Sequence, residues 1–233
     1  MGSLHKGHIS LIKKSKKKSK KTLVSIFVNP KQFNDKKDFI NYPRNINKDK
    51  SILRNLKVDF LYLPSAKEIF PKSSKFIKKI SKKDKILCAK FRKGHFEGVL
   101  NVMDRLTYLI NPTNIYMREK DYQQVYIVKK YLEKKDKTNV ILCKTIRDKR
   151  GFALSSRNKL LKKSEIIKAQ KITKNLIKIK SNIKKNLNVK NELENRKKEL
   201  EEKFSIKIQY LELRNKNSLN LSIKKQNSKL FVA

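Results

Sequence analysis

A chain of 233 residues can bury a substantial core, as one large domain or two unequal ones, and 38% hydrophobic content with recurring apolar runs excludes a disordered chain. The net charge of +41 lies far beyond the magnitude of about 2–8 that suits a small soluble domain. It is carried by 51 lysines against ten arginines, spread over every predicted helix, which fits codon bias in an AT-rich genome better than base reading by arginine forks. No apolar stretch approaches the roughly 20 residues of a membrane span, and no secretory signal is seen. Cys88 and Cys143 lack CxxC spacing, so they read as reduced thiols in a cytoplasmic protein.

The chain opens on Met1-Gly2-Ser3-Leu4-His5-Lys6-Gly7-His8, directly before the apolar pattern Ile9, Leu11, Ile12. A helix beginning here puts both imidazoles near its first turn, where free N–H groups and the positive dipole end attract an anion such as phosphate. The distribution of rare residues supports a site. All three histidines and four of the five glycines fall in MGSLHKGH and FRKGHFEG (Gly94, His95, Gly98), and Gly151 opens GFALSSRN. Glycine is needed where backbone turns sharply or approaches a ligand closely.

Helical spacing runs from Ile9 to about Lys20, followed by a buried strand at Thr22–Val28 that stops at Asn29-Pro30. Asn29, Gln32 and Asn34 then project amides from a strand's carboxyl end, the edge where open α/β sheets bind ligands. A helix over Asn45–Lys57 and a strand over Val58–Leu63 complete a βαβ unit. Tyr42-Pro43-Arg44 either supplies the site with a cation or starts that helix. Ser65–Lys85 reads as an irregular basic excursion. Phe91–Gly98 is predicted as a loop carrying Arg92 and His95, ahead of a helix over Val99–Ile110. A strand at Thr113–Met117 ends on the charged tetrad Arg118-Glu119-Lys120-Asp121, with Asp121 as candidate N-cap of the next helix. Gln123 or Gln124 lies near that helix's first turn, and Tyr122, Val125, Val128 and Leu132 face inward. After a strand at Asn139–Ile146, the loop Arg147–Asn158 presents Ser155-Ser156-Arg157, hydroxyls and a guanidinium suited to polyphosphate. Two lysine-rich helices (about Glu165–Ile179 and Asn191–Phe204) and strands at Lys207–Leu213 and Ser228–Ala233 then make a smaller α+β domain. The expected division is 1–160, nucleotide-binding and catalytic, and 161–233.

MGSLHKGHISL, SIFVNPKQF, YPR, FRKGHFEGV, EKDYQQ, ALSSRN and YLELR, in this order, resemble the pantothenate synthetase (pantoate–β-alanine ligase) family of the HxGH nucleotidylyltransferase superfamily. The resemblance implies an α/β fold, a Rossmann-like doubly wound parallel sheet with a smaller C-terminal α+β lid domain closing over a water-labile intermediate. It implies ATP-dependent, AMP-forming condensation of pantoate with β-alanine through pantoyl adenylate, releasing pyrophosphate. Carried onto matching positions, Met1, Gly2, Ser3, Leu4, His5, Lys6, Gly7 and His8 line the ATP site, with Arg118, Glu119, Lys120, Asp121, Leu154, Ser155, Ser156 and Arg157. His8 matches the family's catalytic histidine, and His5, Lys120 and Arg157 join it as donors to the moving charge. Gln32, Gln124 and Asn29 are expected at pantoate and β-alanine. Mg²⁺ bridges the ATP phosphates with no protein ligand assigned, and the family is typically homodimeric.

Some positions depart from the family. The family has a strand and a Pro-Thr ahead of the position of Met1 and continues beyond Ala233, so the chain is expected to be truncated, without its first strand and with that strand's neighbours unpaired. Arg118 stands for a glycine, Lys93 for a proline and Arg150 for an aspartate. Two other functions compete. One is a different HxGH nucleotidylyltransferase, such as a phosphopantetheine adenylyltransferase, which leaves NPKQF unexplained. The other is a basic nucleic-acid-binding protein that kept a remnant of the fold.

Overall fold

The computed structural model describes residues 2–71, 78–135, 138–183 and 188–233. The order is α1 (Lys6–Lys18), β1 (Leu23–Ser25), a 3₁₀ turn (Pro30–Gln32), α2 (Lys36–Ile40), α3 (Ile46–Asn55), β2 (Phe60–Tyr62) and α4 (Ala66–Ile69). It continues with a 3₁₀ turn (Lys82–Asp84), α5 (Cys88–Phe91), α6 (His95–Ile110), β3 (Asn114–Arg118), a 3₁₀ turn (Glu119–Asp121), α7 (Tyr122–Lys135) and β4 (Asn139–Cys143). Last come a 3₁₀ turn (Ser156–Leu160), α8 (Lys163–Asn182), α9 (Val189–Phe204), β5 (Leu211–Asn215) and β6 (Ser228–Val232).

Strands alternate with helices, and the first two strand pairs are parallel, as the α/β reading requires. β1 pairs with β2 (Val24 opposite Leu61), and β3 pairs with β4 (Tyr116 opposite Ile141). Among the described residues these are two separate ladders, with no pairing between β1 and β3. A cavity of about 940 Å³ is lined by both strands, through Val24, Ser25, Ile115 and Met117 among others.

Two compact units result. The first holds the described residues up to Asp148 with Ala153–Leu160. One of its cores joins Phe96, Val99 and Leu100 of α6 to Val125, Val128 and Leu132 of α7, and a second joins Leu4, Ile12, Val24 and Leu53. Fully burying each such side chain contributes about 1.5–3 kcal/mol. The second unit is Lys149–Phe152 with Leu161–Ala233. There α8, α9 and the antiparallel β5–β6 pair enclose Leu193, Leu200, Leu211 and Leu213. Lys149–Phe152 belongs with it because Arg150 Nη1 donates to Gln170 Oε1 (3.2 Å) and Gly151 lies against Ile177 and Thr173 of α8.

Four local expectations are corrected. Part of the predicted Phe91–Gly98 loop is helical: Gly94 turns the chain in the left-handed region (φ 75°), and α6 starts at His95, where His95 and Phe96 are both buried. Asp121 does not cap α7; the 3₁₀ turn runs straight into that helix, and the carboxylate meets Arg118 and Lys120 instead. The first strand is shorter than predicted, three residues with Ile26 N–H still donating to the Tyr62 carbonyl at 3.0 Å. The excursion after Ser65 begins with a helical turn, α4, because Ser65 and Glu68 form a reciprocal capping box; residues 72–77 of that excursion lie outside the described residues.

Candidate active site

The His-x-Gly-His segment forms the predicted helix start, and His5 is itself the N-cap. Its Nδ1 accepts from Gly7 N at 3.0 Å. The ring thereby folds over the first turn, where a Cβ on residue 7 would lie 2.7 Å from His5 Cε1. Glycine is the residue that fits. His8 follows within the same turn, buried, its ring centroid 4.2 Å from that of His5. Burial, then the Arg118 cation, then Lys120 bring the His5 pKa down to about 4. Burial, then Arg118, then His5 bring His8 down to about 2. Both rings are neutral at physiological pH, so each offers one N–H and one lone pair rather than a charge. His8 Nδ1 is buried without a hydrogen-bond partner among the described residues.

Groups remote in sequence hold this segment. The buried Asp49 carboxylate of α3 accepts from Ser3 N (2.8 Å) and Leu4 N (2.6 Å). Ser156 Oγ lies 3.2 Å from the carbonyls of both Gly2 and Ser3, and Lys159 Nζ donates to Ser3 Oγ at 2.6 Å. Ser156 thus ties the SSRN segment to the HxGH segment. Leu4 is a core side chain, Lys6 is exposed, and Met1 lies outside the described residues. Leu154 N–H donates to the Ile146 carbonyl (3.0 Å), and the Ser155 carbonyl accepts from Asn158 N (3.1 Å), which folds the loop back on itself.

After β1, Asn29 caps the Pro30–Gln32 turn. Its Oδ1 accepts from Lys31 N (3.0 Å) and its Nδ2 donates to Gly98 O (3.0 Å) and Gln32 Oε1 (3.3 Å). Asn29 is buried with its amide committed to holding Gln32. The Gln32 carbonyl accepts from His95 Nδ1 (2.7 Å) and from Arg92 Nη2 (3.2 Å). A carbonyl only accepts, so His95 carries its proton on Nδ1. Burial, then Arg92, lowers the His95 pKa to about 4, although the hydrogen bond to Gln32 opposes this. Gly98 lets α6 approach this turn: a Cβ there would lie 2.5 Å from Lys31 O.

The charged tetrad ends β3. Arg118 Nη1 reaches His5 Nε2 (3.1 Å) and Nη2 reaches Asp121 Oδ2 (3.2 Å), while Lys120 Nζ lies 3.5 Å from Asp121 Oδ1. Burial, then the charge of nearby Glu119, raises the Tyr122 pKa. Of the two candidate glutamines, Gln124 lines the cavity. Gln123 is buried, and its amide nitrogen donates to the carbonyls of Asp84 (3.2 Å) and Ile86 (2.7 Å). Arg157 is gripped by Asp38 and stacked over Phe33 and Tyr42, the rings 5.4 and 4.9 Å away. Arg44 does not serve the site; its guanidinium donates to the carbonyls of Phe39 and Ile40 and holds the end of α2.

The cavity wall includes His8, Asn29, Gln32, Arg118, Asp121, Gln124 and Arg157, drawn from separate sequence segments. Asp38 and Asp49 went unrecognised in the sequence. Both are single acids in ordinary helical patterns, and nothing in their spacing sets them apart.

The match to the pantoate–β-alanine ligase family model covers residues 1–233. A pantothenate synthetase of Sulfurihydrogenibium sp. is 37% identical over 222 residues, covering 94% of this chain and 79% of that protein. The crystal structure of pantothenate synthetase from Thermus thermophilus is similar with a TM-score of 0.84 at 28% identity, over 96% of this chain and 82% of that one. That of pantoate–β-alanine ligase from Francisella tularensis, complexed with β,γ-ATP and β-alanine, is similar with a TM-score of 0.80 at 40% identity, over 91% of this chain and 78% of that one. With its motifs, its parallel α/β architecture and a family match along its whole length, the chain belongs to the pantoate–β-alanine ligase family.

Proposed function

We propose that this chain condenses pantoate with β-alanine at the expense of ATP. A pantoate carboxylate oxygen attacks the α-phosphorus, the bond to the β-phosphate oxygen breaks, and pyrophosphate departs. The β-alanine amine then attacks the acyl carbon of the adenylate and loses a proton as the bond to AMP breaks. The observation that carries this reading is the convergence of His8, Gln32, Arg118, Gln124 and Arg157 on one cavity. A carboxylate is a poor nucleophile toward a polyanion, so the protein's work is positioning and charge neutralisation.

In this reading the HxGH segment, the Arg118–Asp121 tetrad and Leu154–Arg157 hold the nucleotide. Neutral His5 and His8 offer N–H donors, and Lys120 and Arg157 follow the charge onto pyrophosphate. Gln32 and Gln124 hold pantoate, with Gln32 also facing β-alanine; Asn29 acts through Gln32. Mg²⁺, if brought in with ATP, would supply neutralisation of the phosphate charge, and no protein ligand is assigned to it. Asp121 is the carboxylate among the described lining residues, and no cluster of three or more metal-ligating side chains occurs among the described residues. The enzyme works as a homodimer in the cytoplasm; no helix among the described residues is long and apolar enough to cross a membrane.

The test is an assay for AMP and pyrophosphate. Pyrophosphate release that requires pantoate, with pantothenate formed only on adding β-alanine, is the expected result. Nucleotidyl transfer to another acceptor, with none to pantoate, overturns the assignment.

A further inference from the structure

His5 is approached by two groups that can only donate. Gly7 N–H meets its Nδ1 at 3.0 Å, and Arg118 Nη1 lies 3.1 Å from its Nε2. A neutral imidazole has one N–H and one lone pair, and a guanidinium has no acceptor. The ring can therefore answer one of these donors and not both, and protonating it would set donor against donor at each nitrogen. The other edge of Arg118 is satisfied, with Nη2 on Asp121 Oδ2 at 3.2 Å, and the side chain is only 19% exposed. One edge of the guanidinium is thus anchored while the other is aimed at a nitrogen it must compete for. Lys120 and Lys159 add positive potential at the same ring.

An anionic oxygen placed between Arg118 Nη1 and His5 Nε2 resolves the conflict. It accepts from the guanidinium and from an Nε2–H, leaving the Nδ1 lone pair for Gly7. We propose that Arg118 is a phosphate-binding residue of this site, whose Nη1 leaves His5 for a phosphate oxygen of the nucleoside triphosphate while His5 settles as its Nε2–H tautomer. The inference rests on the ATP-dependent reading above, which already puts Arg118 beside the nucleotide, and adds to it the group Arg118 binds, the atom that binds it and a tautomer change at His5.

The test is calorimetric titration of the full chain with Mg²⁺–ATP and with inorganic tripolyphosphate, for wild type, R118Q and R118K, each checked for folding by circular dichroism. Losing a charged donor to phosphate is expected to weaken binding of both probes by about tenfold or more in R118Q. R118K should recover part of the loss, because it keeps the charge without the fork. Independently of any variant, ¹⁵N shifts of the wild-type His5 ring should show mixed tautomers in the free chain and a single Nε2–H form with saturating ATP. R118Q binding both probes as tightly as wild type, or more tightly, overturns the inference, as does a His5 pattern that ATP leaves unchanged. In those cases wild-type turnover would still stand and with it the ATP reading. Wild type binding neither probe would instead bring down that reading and this inference together.

Discussion

Arg157 and Asp38, 119 positions apart, form a two-point ion pair, Nε to Oδ1 at 3.0 Å and Nη2 to Oδ2 at 2.8 Å. The hydrogen bond from Arg157 lowers the Asp38 pKa and raises that of Arg157. With Phe33 and Tyr42 stacked beneath the guanidinium, the pair fixes a long side chain at the cavity wall before substrate arrives. Ordering such a side chain on binding costs about 0.5–1.5 kcal/mol, a cost that preorganisation removes. Asp38→Asn is therefore expected to raise the KM for ATP several-fold with little change in kcat. Because the pair is partly exposed, stability should change by less than about 1 kcal/mol. Arg157→Ala should lower kcat/KM on the order of 100-fold, and Arg157→Lys should restore little of it. Steady-state kinetics with varied ATP checks all three, and an unchanged KM in Asp38→Asn would show that the clamp plays no part in binding.

His8→Ala and Lys120→Ala test the donors themselves. Each should lose on the order of 100- to 1000-fold in turnover, the usual cost of one donor to developing charge. Folding should be nearly unaffected. Lys120 is partly exposed, and His8 carries a buried nitrogen with no partner among the described residues, so its removal relieves an unsatisfied group. Near-normal pyrophosphate release by either purified variant would remove that residue from the mechanism.

Asp49→Ala should destabilise the chain and also disable it. The carboxylate accepts two backbone N–H groups, from Ser3 and Leu4, and its loss strands both in a buried setting. Unsatisfied buried groups cost roughly 1–3 kcal/mol each. A urea midpoint equal to that of wild type would contradict this account of how the HxGH segment is anchored.

Gly98 and Gly94 make a matched pair. A Cβ at residue 98 meets the Lys31 carbonyl carbon at 2.8 Å and its oxygen at 2.5 Å, so Gly98→Ala must push the Gln32 turn away from α6. The cost should be about 1–3 kcal/mol, as for overpacking, with a raised KM for pantoate. At Gly94 nothing lies within 4 Å, and only its φ of 75° opposes a side chain. Gly94→Ala should cost about 1 kcal/mol and leave KM unchanged. Thermal melts and pantoate titrations separate the two.

The depressed histidines predict how stability depends on pH. His5 and His95 titrate at about 4 and His8 at about 2 in the folded chain, against about 6.5 unfolded. Between pH 6.5 and 4 the unfolded chain binds more protons, so stability is fully present above about 6.5 and declines as pH falls through this window. Each buried histidine, His8 and His95, adds a slope of about 1.4 kcal/mol per pH unit there. Denaturation curves at pH 7, 6 and 5 measure it, and a flat profile would mean that these rings are protonated in the folded state.

Much of the candidate site's local structure was legible in sequence because its segments are short contiguous runs. A histidine that caps its own helix and a glycine under its ring are local relationships, set within three residues, and the element order follows from apolar periodicity. The role of Asp121 turned on a local choice, its carboxylate pairing with Arg118 three residues back and not capping α7. Strand lengths and the helical start at His95 were not legible, because the burial of His95 and Phe96 is set by residues distant along the chain. The same holds for Asp49, Asp38 and Gly98. Each acts on a partner tens of positions or several elements away, and no periodicity encodes which acid will meet which amide. Residue types and their local spacing thus determined what chemistry this chain can do. Only tertiary packing decided which groups are buried, which donors compete for one ring, and which arginine is held still, because desolvation and pairing depend on distance through space and not along the chain.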